Sequence, residues 1–423
     1  MWRTIISIAI GVGIVAGLGS CSSTSKKQKK QEEPNSNQMT EYKKGSYGYD
    51  ATFLKENSID FIELSDEKDM AKIMVVPELQ GRVMTSTALG NDGLSFGWIN
   101  YDLIESGEKS KQFNPFGGEE RFWLGPEGGP FSIYFEQGKE QVFANWVVPP
   151  VLDTESYEVK QESSSSVTFE KNTSLVNASG TAFNVGINRK VSLLSKNELY
   201  SILPVDLPAE IFDVVAYQSE NKITNLGENP WEKEGGLLSI WLLSMFNPSP
   251  STTVFIPYNT DVEGPVVNDE YFGKVPSDRL IANHGTVFFK IDGKFRSKIG
   301  IPPGRAKNLC GSFDAESNVL TLLWVSLPEE PAEYVNSTWG EQDDPYAGDV
   351  INSYNDGPVD GKIMGPFYEM ETSSPAAALE PGESMSHVQC LVHIQGDKMQ
   401  LAKVVYQLFN LRLDEVESKF NRE

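Results

Sequence analysis

The densest group of residues that could do chemistry lies at Phe116–Pro130, where acidic, basic and aromatic side chains alternate between glycines. In an extended strand Glu119, Arg121 and Trp123 lie on one face and Glu120 on the other, because successive side chains point to opposite sides. A carboxylate and a guanidinium can hydrogen-bond sugar hydroxyls, while an indole covers the apolar face of a sugar ring. The run therefore predicts a sugar-binding surface. The alternative is a structural ion pair in a glycine-rich hairpin, with Trp123 in the core.

A pair of carboxylates lies in the alternating stretch Gly365–Pro375. Glu369 and Glu371 are two residues apart, so a strand places both on the same face. Two like charges side by side raise the pKa of one member, which prepares a carboxyl group for general acid–base catalysis. A carboxylate pair also suits glycoside hydrolysis. The alternative is that both carboxylates lie on a solvated strand edge and have no catalytic role.

Histidines and cysteines are too few to predict a metal centre. The chain has three of each, and sites built from these residues need several of them close together. His284 lies in a turn-like context. His387 and His393 fall in an alternating segment, where we interpret both as structural. We expect no metal and no cofactor.

The net charge of the chain indicates which classes of ligand are compatible with it. Of 423 residues, 36 are Lys or Arg and 59 are Asp or Glu, which gives a formal net charge of −23. So acidic a chain repels a phosphate backbone, which argues against nucleic acid as a partner, whereas neutral ligands such as sugars remain compatible. A hydrophobic content of 39% suffices for a large core.

The elements that must position these residues are predicted to be strands. Short β-type runs recur along the chain with turn signals between them, and helices do not alternate with them. This pattern predicts an all-β fold over residues 42–396. Asp397–Phe420 instead carries apolar residues at helical spacing, among them Leu401 and Val405. It predicts a helix in the segment 397–423, packed on the outside of a sheet.

Cys310 and Cys390 leave two possibilities open. They could form a disulfide in an oxidising compartment, where such bonds persist. They could equally remain two buried thiols, since the sequence gives no distance between them.

The beginning of the chain differs in character from the rest. Arg3 and the apolar stretch Ile5–Leu18 have the organisation of a secretion signal, and the stretch is too short to span a bilayer comfortably. It ends in Leu18-Gly19-Ser20-Cys21, which resembles the lipobox of bacterial lipoproteins. An ordinary secretion signal with a chance Cys is the alternative.

The lipobox resemblance implies how the mature protein is attached to a membrane. It implies a signal peptide over residues 1–20, lipid on Cys21, and a membrane anchor in the bacterial cell envelope with the protein facing the periplasm. Residues 21–41 are polar and charged, with few groups that could be buried, and predict a flexible tether.

Three segments of the chain carry a further resemblance: Gly81-Arg82, Gly117–Glu127 and Tyr368–Ser384. Together they resemble the galactose-mutarotase-like superfamily, and more narrowly its uncharacterised lipoproteins from Gram-negative bacteria. This resemblance implies a β-supersandwich, a large antiparallel assembly with a concave sugar-binding face. Aldose 1-epimerases of this group use a late Glu as base, and the matching position here is Glu369 or Glu371.

The sequence departs from that superfamily in one respect. Epimerases carry a catalytic His in a motif of the type His-x-Tyr/Phe-Phe-Asn. We place the corresponding stretch at Thr224–Gly235, which contains no His. Glu119 or Arg121 could take over the role of the missing proton donor.

These observations favour a carbohydrate-binding lipoprotein of the galactose-mutarotase-like type which, if it is an enzyme, acts on the anomeric centre of a sugar. The predicted acid–base residues are Glu369, Glu371 and Glu119. The predicted ligand-binding residues are Arg82, Trp98, Glu120, Arg121, Trp123 and Trp231. The competing class is a structural or protein-interaction lipoprotein without catalysis.

Overall fold

Strands dominate the structure, a computed structural model that describes residues 41–420. These strands are β1 (Ile62–Ser65), β2 (Lys72–Val76), β3 (Arg82–Thr87), β4 (Arg121–Gly125), β5 (Glu158–Glu162), β6 (Ser166–Val176), β7 (Ala182–Leu193), β8 (Phe212–Asn225), β9 (Ser239–Phe246), β10 (Thr252–Pro257), β11 (Leu280–Asn283), β12 (Thr286–Lys290), β13 (Ser297–Ile301), β14 (Leu309–Asp314), β15 (Val319–Val325), β16 (Ile351–Asn355), β17 (Tyr368–Ser373) and β18 (Ser384–Gly396). The helices are α1 (Tyr47–Glu56), α2 (Tyr101–Ser106), α3 (Pro150–Asp153), α4 (Lys196–Ile202), α5 (Lys398–Phe409) and α6 (Leu413–Ser418).

The strands form three sheets in which neighbouring strands are antiparallel. The largest sheet has ten strands in the order β11-β12-β10-β14-β15-β18-β8-β7-β6-β5. A five-stranded sheet has the order β13-β16-β17-β9-β4, and β1-β2-β3 form the third. The strand pairs of the two larger sheets are antiparallel throughout. The prediction of an all-β fold is thereby confirmed.

Two hydrophobic cores lie on opposite faces of the ten-stranded sheet. In β18, Leu391 belongs to the main core, which also contains side chains of the five-stranded sheet. Its neighbour Val392 belongs to a second core, which includes Val404 and Val405 of α5. Strand alternation sends successive side chains to opposite faces, so a strand that is buried on both sides reads as a continuous apolar run.

The predicted C-terminal helix is two helices. Asp397 caps α5, its side chain accepting a hydrogen bond of 2.9 Å from the backbone N–H of Met399. The helix ends at Asn410, which has a left-handed backbone with φ of 51°, a conformation that Asn tolerates better than most residues. Both helices pack on the ten-stranded sheet, and Leu401 and Val416 are fully buried there. The outside position is as predicted, but the helix is not continuous.

Cys310 and Cys390 are free thiols, which settles the alternative left open by the sequence. Cys310 in β14 and Cys390 in β18 are separated by β15. Cys310 contributes to the main core and Cys390 to the second core. Because their side chains lie on opposite faces of the sheet, they cannot be joined without moving the backbone.

Candidate functional site

One face of the five-stranded sheet brings together side chains from five strands. Its register places Lys298 of β13 opposite Tyr354 of β16, Tyr354 opposite Glu369 of β17, and Glu369 opposite Met245 of β9. Directly paired residues of neighbouring strands project to the same face. The four side chains therefore form one row across the sheet, although 124 positions separate Met245 from Glu369 in the chain.

A second row lies one step along the strands. Glu371 of β17 is opposite Leu243 of β9, and Leu243 is opposite Arg121 of β4. The two rows are joined by diagonal ion pairs. Arg121 pairs with Glu369, and the Lys298 ammonium lies 2.8 Å from Oε2 of Glu371.

Glycines before β4 fix the position of Arg121. Gly118 has a φ of 119°, and a Cβ there would lie 2.4 Å from the side chain of Arg82. A Cβ on Gly117, whose φ is 94°, would lie 2.2 Å from the carbonyl oxygen of Trp98. Only Gly adopts such backbone freely and allows so close an approach. The glycines that flank the sequence run thus serve chain packing beside the site.

Glu369 is an acid with a raised pKa. Its side chain is 7% exposed and pairs with Arg121, whose guanidinium stacks 4.9 Å from the Trp123 ring. Burial raises the pKa of Glu369 to about 7, Arg121 opposes the rise, and the neighbouring Glu371 adds to it. A carboxyl group with a pKa near 7 exists in both protonation states at neutral pH, as acid–base catalysis requires.

Glu371 lies on the same face, is fully buried and is hydrogen-bonded to its neighbours. Its Oε2 accepts hydrogen bonds of 2.8 Å from the Trp241 indole and from the Lys298 ammonium. Burial lowers the pKa of Lys298, but the charges of Glu371 and Glu127 outweigh burial and the net pKa is raised. Lys298 therefore remains a cation. Of the two carboxylates, only Glu369 lines the cavity over the sheet, whereas Glu371 binds Trp241 and Lys298, which line it.

Arg121, Glu369 and Lys298 line a cavity of about 90 Å³, and Lys298 also lines an adjoining cavity of about 660 Å³. The larger volume lies within the range of small-molecule sites, roughly 300–1,000 Å³. Aromatic side chains form much of the walls: Trp123, Phe143, Trp146, Trp241, Phe272, Trp339 and Tyr354. Arg296, Lys298 and Glu127 line both volumes. We refer to the two volumes together as the cleft.

Glu127 is a site residue that was not selected from the sequence. It lies in the cleft two residues after β4 ends, and burial raises its pKa to about 7, against the lowering effect of Lys298 and with a further rise from Glu371. The sequence did contain a signal for Glu127, since it is the last residue of the glycine-rich run that carried the family resemblance. Its spacing from Arg121 gave no reason to prefer it over Glu119.

The structure corrects the prediction for Glu119. The strand begins only at Arg121, so Glu119 does not share its face. Instead Glu119 is fully buried, accepts a hydrogen bond of 2.8 Å from Ser86 and lies 3.0 Å from Nε2 of His393. The other ring nitrogen of His393 lies 2.9 Å from the Thr321 hydroxyl. His393 and Thr321 border a separate cavity of about 380 Å³, outside the cleft.

Glu120 is likewise absent from the cleft. Its Oε1 lies 2.8 Å from the Arg189 guanidinium, and neither side chain is exposed. Its Oε2 accepts a hydrogen bond of 2.7 Å from Gln389. Glu120 lies just before β4 of the five-stranded sheet, while Arg189 and Gln389 lie in β7 and β18 of the ten-stranded sheet. Glu120 thus links the two sheets and has a packing role.

Arg82 also lies outside the cleft. Its guanidinium donates to the carbonyl oxygen of Gly117 at 2.7 Å and to Gln80 at 3.0 Å. Burial, and then the nearby charge of Arg121, lower the pKa of Arg82 to about 9. Arg82 supports the segment that leads to Arg121 and is not placed to touch a ligand in the cleft.

The two predicted stacking platforms are part of the packed interior. Trp98 lies with its ring centroid 4.8 Å from that of Phe367, which itself lines the cleft. Trp231 packs edge-on against Phe183, 5.4 Å away, in the main core. The aromatic surface of the cleft is supplied instead by tryptophans such as Trp241 and Trp339.

The stretch Thr224–Gly235 does not border the cleft either. Among the described residues, none of those that line the cleft is a His.

Residues 41–420 contain no group of three or more His, Cys, Asp and Glu residues arranged to hold a metal ion. The same part of the chain has no helix that is long and apolar enough to cross a membrane. The predicted lipidation site, Cys21, lies outside the described residues.

The fold and the cleft together define an all-β protein with a charged, aromatic site on one face of a sheet. The chain belongs to a family of unknown function, DUF6786, whose family model matches residues 45–420. No curated protein sequence matches it.

Solved structures similar to this chain include galactose mutarotase-like proteins, as the resemblance in the sequence implied. A galactose mutarotase-like protein from Lactobacillus casei is 11% identical with a TM-score of 0.45, and 79% of this chain and 100% of that chain are covered. A galactose mutarotase related enzyme from Lactobacillus acidophilus is 8% identical with a TM-score of 0.45, covering 80% and 99%. A protein from Synechocystis is 13% identical with a TM-score of 0.49, covering 80% and 96%.

Proposed function

We propose that this protein binds a carbohydrate in the cleft and acts on the anomeric centre of the bound sugar. The observation that carries the proposal is that aromatic side chains and ion-paired charged side chains lie together at one cleft. Indole rings such as Trp339 and Trp241 offer surfaces for the apolar face of a sugar ring. The ion pairs Arg121–Glu369 and Lys298–Glu371 offer charged donors and acceptors for its hydroxyl groups.

Two carboxyl groups would share the proton transfers. Glu369 and Glu127 line the same part of the cleft, and burial raises the pKa of each to about 7. In the proposed reaction ionised Glu369 takes the proton of the anomeric hydroxyl while protonated Glu127 donates to the ring oxygen, and the ring opens. Closure on the other face of the carbonyl reverses both transfers. Since no His lines the cleft among the described residues, Glu127 takes the part that a His plays in the epimerase motif.

Binding and catalysis are tested separately. Titration calorimetry with a panel of neutral, acidic and oligomeric sugars measures binding, and Trp339→Ala should weaken it. Polarimetry measures mutarotation of the sugars that bind. Glu369→Gln and Glu127→Gln should each lower the rate by roughly 10²–10⁴-fold, whereas Glu329→Gln, an exposed carboxylate outside the cleft, should not change it.

Each alternative has its own outcome. Binding without mutarotation, or with rates equal in all variants, would leave a carbohydrate-binding protein without this activity. Failure to bind any sugar of the panel would favour the structural or protein-interaction lipoprotein instead.

We also propose that the mature protein is tethered in the bacterial cell envelope through lipid on Cys21. The support is the Leu18-Gly19-Ser20-Cys21 sequence followed by a polar segment. Mass spectrometry of the protein from membranes should find a chain that begins at a lipidated Cys21. Cys21→Ser should abolish both lipidation and membrane association, and a Ser variant that remains in the membrane fraction would contradict the proposal.

A further inference from the structure

Within residues 41–420, four cationic side chains line the cleft, and two of them are neutralised by ion pairs within the protein. Arg121 is ion-paired with Glu369, and Lys298 with Glu371. Of the other two, Lys362 is exposed and lines only the larger volume. Arg296 lies just before β13 and lines both volumes of the cleft. Its guanidinium has no ion-pair or hydrogen-bond partner among residues 41–420, and its buried Nε is unpaired.

The position of Arg296 is held by stacking. Its guanidinium carbon lies 3.9 Å from the centroid of the Phe272 ring, in the range of a cation–π contact. Stacking on an aromatic face leaves the in-plane N–H donors of a guanidinium available. A half-buried cation without an ion-pair or hydrogen-bond partner is costly in the free protein, so the arrangement favours a ligand that supplies a directly paired negative charge.

We propose that the carbohydrate bound in the cleft is anionic, with a carboxylate or sulfate group that pairs with Arg296. This inference rests on the proposed carbohydrate-binding function and names the class of sugar. The planar fork of a guanidinium matches two oxygens of such a group at once. The sugar ring then lies against the aromatic walls, and its anomeric end points toward Glu369.

In the described part of the chain four acidic residues line the cleft, Glu127, Asp356, Asp360 and Glu369, and none of them forms an ion pair or hydrogen bond with Arg296. Asp360 is exposed, and Glu369 is paired with Arg121. The charge of Arg296 acts on Glu127 and Asp356 and opposes the rise that burial causes in the pKa of each. Asp356 already accepts hydrogen bonds of 2.9 Å from the Tyr354 hydroxyl and from the backbone N–H of Gly365. Glu127, with its pKa raised to about 7 by burial, carries a proton part of the time at neutral pH. The net charge of −23 repels anions at long range, so a preference for acidic sugars has to come from contacts inside the cleft.

The experiment compares matched sugars on the full chain by titration calorimetry. The pairs are D-galactose with D-galacturonate and D-glucose with D-glucuronate, and galactose 6-sulfate forms a separate arm. We expect the anionic member of at least one set to bind about tenfold more tightly, the effect of one charge-assisted contact. A preference for the uronates assigns the group as a carboxylate, and a preference for the sulfated sugar assigns it as a sulfate.

Three variants test whether Arg296 causes the preference for anionic sugars. Arg296→Gln should reduce the ratio of anionic to neutral affinity to about one, and Arg296→Lys should keep part of it because the charge remains. Lys294→Gln removes a nearby exposed charge outside the cleft and should leave the ratio unchanged. Thermal unfolding of each variant checks that the fold is intact.

Two results would overturn the inference. One is equal or tighter binding of the neutral sugars in every set, which leaves the proposed function standing. The other is a preference that persists in Arg296→Gln. If no sugar of either kind binds, the proposed function fails together with this inference.

Discussion

At the scale of single residues, the Arg121–Glu369 pair is expected to matter for stability as well as for binding. Both side chains are buried, 4% and 7% exposed. Glu369→Gln leaves the Arg121 charge without its partner, and removing one member of a buried pair costs about 3–5 kcal/mol. Urea unfolding at pH 8, above the pKa of about 7 of Glu369, measures this loss in the free energy of unfolding.

The control for this prediction replaces both partners. In Arg121→Met/Glu369→Leu no charge is left behind, so much of the lost stability should return, as it often does when a buried pair is exchanged for apolar residues. A double variant as unstable as Glu369→Gln alone would show that the loss comes from packing and not from the unpaired cation.

A second residue-scale prediction concerns Glu127 and pH. Its pKa is raised by burial from an ordinary value of 4.5 to about 7 in the folded protein, so the folded state holds the proton more tightly than the unfolded state. The resulting stabilisation is complete below pH 4.5 and is lost as the pH rises through 7. The stability of the wild type relative to Glu127→Gln should therefore fall over this range, as measured by urea unfolding. Parallel curves for the two proteins would contradict the raised pKa.

The residues of the site were only partly predictable. Arg121, Trp123 and Glu369 were selected from local patterns, and all three line the cleft. Glu119 was selected by the same alternation, which fails because the strand starts two residues later. Arg296 and Trp339 reach the cleft from segments with no distinctive local pattern, and only the pairing of distant strands brings them there.

At the scale of elements, the apolar patterns of the sequence predicted the type of secondary structure better than the residues at which an element ends. Alternating and continuous apolar runs correctly indicated strands, since these depend on which faces are covered. The break between α5 and α6 was not foreseen, because the apolar spacing continues through it. The break depends on the left-handed backbone of Asn410, and a single Asn does not identify a helix end by itself.

The packing of α5 gives the prediction at this scale. Leu401 is fully buried in the second core, whereas Tyr406 on the opposite side of the helix is 60% exposed. Leu401→Ala should lower the free energy of unfolding by about 2–5 kcal/mol, the cost of a cavity in a packed core. Tyr406→Ala is the matched control and should change it by about 0.5 kcal/mol or less. Equal effects in urea unfolding would show that α5 is not held by this core.

At the scale of the whole molecule, the cleft and both cores belong to the part of the chain that follows the predicted tether. Residues from Tyr42 onward form one compact unit, and the family match begins at residue 45. A chain that begins at Tyr42 should therefore unfold at the same temperature as the full chain and bind the same sugars. A lower unfolding temperature by differential scanning calorimetry, or loss of binding, would show that residues 1–41 contribute to the folded unit.

The separation of Cys310 and Cys390 by the thickness of a sheet has a consequence for how the protein is made. Burial raises the pKa of the Cys310 thiol to about 12 and also raises that of Cys390, so neither is a reactive thiolate at neutral pH. The folded unit thus needs no thiol oxidase or isomerase, although its predicted compartment supplies them. Dithiothreitol should leave its unfolding temperature unchanged, and production in a reducing cytosol should yield a folded unit with the same unfolding temperature as that of the exported protein.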